Sequence, residues 1–244
     1  MGAEFSWWSL FPPLVGAVVG GGVSLTSTLF MQSRAQKLES AKKDREAKRL
    51  AGNLAYFALA KLVGTFEAIE NLARHFDQQF KEAEAEGRGA SQPYDIYKAI
   101  VGAPHVIDVV SANEILFLAK GHGEMIARIG EIQQRARNDE VVAREYSSAR
   151  RNLDSFMLNY ISPTTILDGS RMAVQADATT KTKVDVLQGQ LNQIIVPLIV
   201  ALEEDRNSIV LLVNEYIKIA QSTFGDDFPA KGFEVRGITD NANS

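Results

Sequence analysis

The 244-residue sequence contains no cysteine, three histidines and only 8% aromatic residues. Without cysteine, the chain has no disulfide framework, no thiolate nucleophile and no cysteine-ligated metal cluster. His75, His105 and His122 do not have the spacing of a metal-binding helix, so we interpret them as structural or surface residues. We therefore expect no cofactor. The net charge of −4 argues against nucleic acid as a partner.

The motifs of common catalytic sites are missing from the sequence as well. It contains no glycine-rich phosphate loop and no G-x-S-x-G nucleophile elbow. The acidic runs at residues 82–86 and 203–205 have the pattern of solvated helix faces. The sequence contains no Glu-x-x-His pair, which is the signature of a di-iron bundle. We therefore expect a protein that is not an enzyme. A membrane-bound hydrolase or metal enzyme is the least favoured alternative.

One long stretch of the sequence has no charged residue: no Asp, Glu, Lys or Arg occurs between Glu4 and Arg34. Within it, residues 12–31 would extend about 30 Å as a helix, which is the thickness of a bilayer core. Aromatic residues that could form an interfacial belt stand at the start of this stretch: Trp7, Trp8 and Phe11. We predict an N-terminal transmembrane anchor over residues 1–33. A cleaved signal peptide and a glycine-rich helix in a soluble core are the alternatives.

Small residues recur along one side of the predicted span. Gly16, Gly20 and Ser24 are spaced four residues apart, and Thr28 extends the row. On a helix these positions share a face, and small side chains there let a second backbone approach closely. The pattern therefore predicts self-association through this face. The alternative is that the row simply packs against lipid.

A basic segment follows at residues 34–49, with seven Lys or Arg against three acids. The membrane-proximal basic residues are Arg34, Lys37, Lys42, Lys43 and Arg45. Acid-first pairs at Glu39–Lys43 and Asp44–Lys48 favour a helical stalk. The positive-inside rule then places the N-terminus outside and the body in the cytoplasm of a cell with a bacterial-type inner membrane. Binding of anionic lipid is an alternative role for the same charges.

Residues 50–222 have the pattern of an irregular helical bundle of four or five helices. Apolar residues recur at steps of three and four from Leu50 to Phe80, and Gly52 is a candidate hinge between stalk and bundle. Ser111 with Glu114 has capping-box spacing and predicts the start of a further helix. The pair at residues 138–139 is expected to cap or interrupt the helices of this region. The predicted fold class is therefore all-α: one N-terminal transmembrane helix, a helical stalk and a bundle.

The C-terminal third contains the clearest helix of the sequence. Residues 194–202 are apolar on nearly every side, which predicts a buried central helix that Pro197 kinks. Asp205 falls within the apolar stripe, so it either pairs with an arginine of another helix or marks a break. Before this helix, we interpret residues 162–183 as a loop with a helical turn, with a small hairpin as the alternative. Residues 223–244 are expected to form a flexible tail.

Two functional hypotheses follow from these features. The first is a single-pass membrane protein that self-associates through its span and uses a helical cytoplasmic body as a protein-interaction, scaffolding or regulatory module. Its expected partners are the membrane, further copies of the chain and an unidentified protein. The second is a membrane-active effector whose oligomerised spans perturb the bilayer, because the Ser/Thr-rich side of the span tolerates water.

Overall fold

The computed structural model describes the backbone of residues 11–100, 106–158, 167–168, 171–172, 178–230 and 235, and the side chains of residues 30–100, 106–158, 178–230 and 235. The fold is all-α, as the sequence predicts. Its α-helices are α1 (Phe11–Ala85), α2 (Pro93–Ile96), α3 (Gly123–Leu158) and α4 (Ala178–Phe224). Single 3₁₀ turns cover Leu116–Ala119 and Gly225–Asp227, and β1 (Leu167–Asp168) pairs antiparallel with β2 (Arg171–Met172).

The chain divides into two compact units, residues 1–51 and residues 52–244, and α1 contains residues of both. In the first unit, every described side chain from residue 30 to residue 50 is exposed. The predicted pair is present, with Lys43 Nζ 2.8 Å from Glu39 Oε1. Leu50 was predicted to belong to the core stripe, but it is 62% exposed. The stripe therefore begins only after Leu50, in the second unit.

The core of the second unit comes from the apolar stripes of the three long helices. In α1 the buried members include Leu62, Ile69 and Phe76, at the spacing read from the sequence. In α3 and α4 the largest fully buried side chains are Ile129, Tyr146, Leu153, Leu191, Ile195, Leu202, Ile209 and Tyr216. The two buried tyrosines keep their hydroxyls satisfied, since each donates to a backbone carbonyl of another segment, at Tyr97 and Ala55 respectively.

Helix α3 starts later and runs longer than the sequence predicts. Ser111 N donates to Glu114 Oε2 at 2.7 Å, so the predicted capping contact forms, but only a 3₁₀ turn follows it. Gly121 has a φ of 106°, which ends that turn, and α3 begins at Gly123. The predicted interruption at residues 138–139 is wrong. Asp139 is buried within the continuous helix because it has a polar partner on α4, described below.

The segment before α4 contains a hairpin. The loop favoured for residues 162–183 is wrong in part, because Leu167 and Asp168 pair with Met172 and Arg171. Its helical turn proves to be the start of α4, which begins at Ala178. Strands of two residues are too short to show an alternating hydrophobic pattern. Only the turn-forming residues between them could have indicated the hairpin.

Helix α4 continues through Pro197 and has one buried and one exposed face. Ile195 and Leu198 are buried, whereas Val196 is 44% and Val200 54% exposed. The buried central helix that the sequence predicts is therefore buried on one face and exposed on the other. Among the described residues, the helical stretch Ala178–Asp227, which is α4 with the 3₁₀ turn after it, has the length and apolarity to cross a membrane. Its apolar window has a mean hydropathy of 1.3 and is 17% buried. The predicted anchor at residues 1–33 lies almost entirely outside the described side chains.

The described part of the C-terminal segment is packed against α4. Phe228 is fully buried, and Gln221 Nε2 donates to the carbonyl of Ala230 at 3.1 Å. Asn214 and Val235 exchange two hydrogen bonds, at 2.8 and 3.0 Å. The flexible tail predicted for residues 223–244 stays a prediction, and in its described part apolar residues spaced among Gly, Pro and Asp are buried. The remaining residues after 230, apart from Val235, lie outside the described chain.

Candidate functional site

The residues predicted to act at the membrane are placed only in part. Trp7 and Trp8 lie outside the described residues, and Phe11 begins α1. The positions of the small-residue row are helical, although their side chains lie outside the description: Gly16, Gly20, Ser24 and Thr28. The basic residues are all exposed on α1: Arg34, Lys37, Lys42, Lys43 and Arg45. The predicted self-association face and the lipid contacts therefore stay predictions.

An apolar groove lies between the segment 109–119 and helix α3. It encloses about 430 Å³, and most of the side chains that line it are aliphatic. The aliphatic lining is Val109, Val110, Ile115, Leu116, Ile126 and Ile129. Leu116 is 67% and Val109 50% exposed, so the groove presents apolar surface to solvent. We call this feature the α3 groove.

Gln133 fixes the floor of the α3 groove. Its side chain is buried, and all of its polar atoms find partners within the protein. Oε1 accepts from the backbone N–H of Val110 at 3.0 Å, while Nε2 donates to the carbonyl of Asp108 at 3.0 Å and to Thr65 Oγ1 at 3.2 Å. A non-helical segment is thereby tied to both α3 and α1. The amide satisfies backbone groups that would otherwise be costly to bury.

Lys61 of α1 holds the other side of the same segment. Its ammonium donates to both carboxylate oxygens of Glu114, at 2.8 and 3.0 Å, and to the carbonyl of Val109 at 3.0 Å. Burial alone would raise the pKa of Glu114, but the hydrogen bonds from Lys61 and Ser111 outweigh it and hold that pKa below its ordinary value. The segment that forms one wall of the α3 groove is therefore preorganised at neutral pH.

One cation in the α3 groove has no acidic partner among the residues that the structure describes. Arg137 lines the groove, is half-buried, and places Nη2 3.5 Å from the carbonyl of Ile107. No carboxylate of the described residues forms an ion pair with it, whereas Arg135 and Arg144 on the same helix each have one. The groove therefore offers aliphatic surface beside an unpaired guanidinium, a combination suited to an apolar segment that carries a carboxylate.

A second polar cluster lies between α3 and α4, where Asp139 and Asp205 meet. Asp205 is 1% and Asp139 7% exposed, and Arg135 Nη2 lies 3.1 Å from Asp205 Oδ1. Burial, together with the neighbouring Asp205 carboxylate, raises the pKa of Asp139 to about 7. Burial also raises the pKa of Asp205, although the Arg135 guanidinium opposes the shift. The two carboxyl groups therefore titrate together, and burial beside Asp205 favours the protonated form of Asp139.

Replacing Asp139 with asparagine should flatten the pH dependence of stability. Between pH 3.8 and about 7 the folded protein retains the Asp139 proton while the unfolded chain loses it, so wild-type stability falls as the pH rises through this window. Asparagine has nearly the same volume but cannot titrate. Because the window from pH 5 to about 7 covers about two pKa units, we expect Asp139→Asn to gain about 2–3 kcal/mol relative to wild type at pH 8 compared with pH 5, measured by urea unfolding. Asp185→Asn, at an exposed position of α4, is the control. An identical pH profile for wild type and Asp139→Asn would contradict the raised pKa of Asp139.

Arg206, the residue after Asp205, forms a further tie between helices. Its Nε lies 2.6 Å from Glu70 Oε2 and its Nη2 3.0 Å from Glu70 Oε1, which is a bidentate pair with a buried carboxylate of α1. Consecutive residues of α4 thus bind α3 and α1. The prediction that Asp205 pairs with an arginine of another helix is confirmed, and the alternative of a helix break is wrong.

The described histidines and carboxylates show no arrangement for metal binding. Among the described residues, no group of three or more His, Asp or Glu side chains is placed to hold an ion. His75 contacts Gln79 through Nε2 at 2.8 Å, and burial lowers its pKa. His122 is exposed, and His105 lies outside the described residues.

The α3 groove was missed by the sequence analysis. The available signal was a set of aliphatic residues between positions 106 and 116 that do not follow a helical period. Such residues are either buried by a neighbouring segment or exposed as a binding surface for another molecule. Comparison of the chain with protein-family models, with curated proteins and with solved structures finds no match.

Proposed function

We propose that this protein is a membrane-tethered docking module without enzymatic activity, whose helical body binds an apolar, carboxylate-bearing segment of a partner protein in the α3 groove. The carrying observation is the position of the Arg137 guanidinium, which forms no ion pair with a described residue, beside the preorganised aliphatic surface of that groove. An aliphatic pocket with one charged residue at its edge is typical of a binding hot spot, because the apolar contact supplies affinity and the charge fixes orientation.

The membrane tether in this proposal is supported by the sequence. The uncharged stretch at residues 12–31 is helical within α1 and is followed by exposed basic residues. We propose a bacterial-type inner membrane location with the N-terminus outside and the body in the cytoplasm. We also propose that the row from Gly16 to Thr28 brings copies together in the bilayer. A C-terminal fusion to a cytoplasm-only fluorescent reporter and to an export-dependent enzyme reporter tests the orientation, and export activity would overturn it.

Photo-crosslinking from the α3 groove tests the docking role. A photoreactive amino acid at the exposed position Leu116, in the full chain in its native membrane, is expected to give a discrete protein adduct. Arg137→Glu should lower the yield of that adduct about tenfold, because a charge-assisted hydrogen bond contributes about 1.5–3 kcal/mol and like charges repel.

Arg151→Glu is the matched control for this experiment. It makes the same change of charge at an exposed position of α3 outside the groove lining. We expect wild-type crosslinking from this variant. Equal yields from wild type and Arg137→Glu, or adducts to lipid alone, would overturn the docking role.

A further inference from the structure

The outward face of α4 is a continuous exposed strip over the described length of the helix. Its exposed residues recur at steps of three and four, with Pro197 as one additional position: Thr179, Thr182, Val186, Gln190, Gln193, Val196, Pro197, Val200, Glu204, Asn207 and Leu211. Val186 and Val200 are each 54% exposed and Val196 44%. No described residue covers them. We call this strip the outer α4 face.

The outer α4 face has opposite charge at its two ends. Lys183 lies near the start, where its ammonium is 4.5 Å from the centre of the Phe156 ring, and Glu204 lies on the same side of the helix near the other end. Val186 is seven residues before Gln193, and Val200 is seven residues after it. The strip therefore carries matched apolar residues about Gln193, with a cation beyond one and an anion beyond the other.

A depression occupies the start of the same face. It has a volume of about 500 Å³ and is lined by Ala178, Thr179, Thr182, Lys183 and Val186. Ala178, Thr179 and Thr182 have small side chains, so the depression can accept a protruding side chain from another surface. Its only charged described lining residue is the cation Lys183.

We propose that the outer α4 face binds the same face of a second copy, antiparallel, about a two-fold axis near Gln193. In this register Val186 of each copy opposes Val200 of the other, and Gln193 opposes Gln193. Glu204 of one copy then enters the depression of the other, within reach of Lys183. The interface is self-complementary in both charge and apolar surface, as a two-fold contact requires.

The size of this face sets the strength of the contact. From Thr179 to Asn207 the helix extends about 42 Å, and a strip about 10 Å wide buries on the order of 400 Å² per copy. Stable protein–protein interfaces bury about 800 Å² per partner. The contact is therefore weak between free copies and becomes effective when copies are held close together.

Cysteine crosslinking tests this interface directly, because the chain has no cysteine of its own. Full-length Gln193→Cys, at high protein concentration under mild oxidation, is expected to form disulfide-linked dimers. Ser148→Cys, at an exposed position of α3, is the control and should remain monomeric. A mixture of Val186→Cys and Val200→Cys should give mixed dimers. Either variant alone should give few dimers, since the cysteine of one copy would lie about 21 Å along the helix from the same cysteine of the other copy.

Charge exchange tests the register. Lys183→Glu and Glu204→Lys, each in the Gln193→Cys background, should lower the dimer yield severalfold, and the double exchange should restore it. Gln193→Cys that crosslinks no better than Ser148→Cys would overturn the proposal. Preferential Val186–Val186 dimers would indicate a parallel contact and overturn it as well. Shielding of Gln193→Cys from a water-soluble maleimide only when lipid vesicles are added would assign the face to a membrane instead.

Discussion

Replacing Arg135 with methionine is expected to lower the free energy of unfolding by about 3 kcal/mol at pH 8. Asp205 is 1% exposed and has Arg135 as its cation, with Nη2 3.1 Å from Oδ1. Methionine keeps most of the aliphatic volume but removes the positive charge. A buried carboxylate then remains beside a second acid without compensation, and this is the costly way to break an ion pair.

The effect of Arg135→Met should depend on pH. At pH 5 the carboxyl pair can take up protons, because the loss of the guanidinium removes the interaction that opposes the raised pKa of Asp205. We expect the loss of stability to be markedly smaller at pH 5 than at pH 8, in urea unfolding followed by circular dichroism. The loss of stability is smaller at the lower pH because protonation neutralises the carboxylate charge that the variant leaves without a cation.

Arg144→Met is the matched control, since Arg144 lies on the same helix and pairs with Glu140 at 3.5 Å from a side chain that is 57% exposed. Exposed pairs of this kind contribute little, so we expect a change below about 0.5 kcal/mol at either pH. If Arg135→Met were as stable as Arg144→Met at pH 8, Asp205 would not be ionised in the folded protein.

The long helices could be predicted from the sequence because their signal is local. Leu62, Ile69 and Phe76 lie seven residues apart, which is about two helical turns, and are buried as expected. The anomaly at Asp205 could also be recognised, because an acid in an apolar stripe needs a partner. The identity of that partner could not be predicted. Several arginines occur along α3, and only the packing of α3 against α4 selects Arg135.

The α3 groove could not be predicted, because its walls depend on contacts between distant residues. The backbone of residues 106–115 has no helical or strand period, and its position depends on Gln133 and Lys61, far away in sequence. The exposed face of α4 was missed for a related reason. The apolar segment that contains Val196 and Val200 has the composition of a core helix. Composition alone does not say whether enough other helices pack around α4 to cover each of its faces.

Gly52 also has a role that the sequence does not show. As a glycine within a helical pattern it was a candidate hinge, yet α1 continues through it. A Cβ atom at this position would lie 2.5 Å from the carbonyl oxygen of Asp227. The glycine is therefore required by the close approach of the 3₁₀ turn Gly225–Asp227 to the second unit's part of α1. Phe228, which is fully buried, holds that turn in place.

Gly52→Ala is expected to lower the free energy of unfolding by about 2 kcal/mol, although alanine favours helix by about 1 kcal/mol. The obstacle is a backbone atom, so relief requires the whole turn to move. Gly64→Ala is the matched comparison on α1, because nothing lies within 4 Å of its added Cβ. It should raise stability by about 0.5–1 kcal/mol. If Gly52→Ala lowers and Gly64→Ala raises the free energy of unfolding, measured with urea, the C-terminal segment packs on α1. Stabilisation by both would show that the turn does not hold this position in solution.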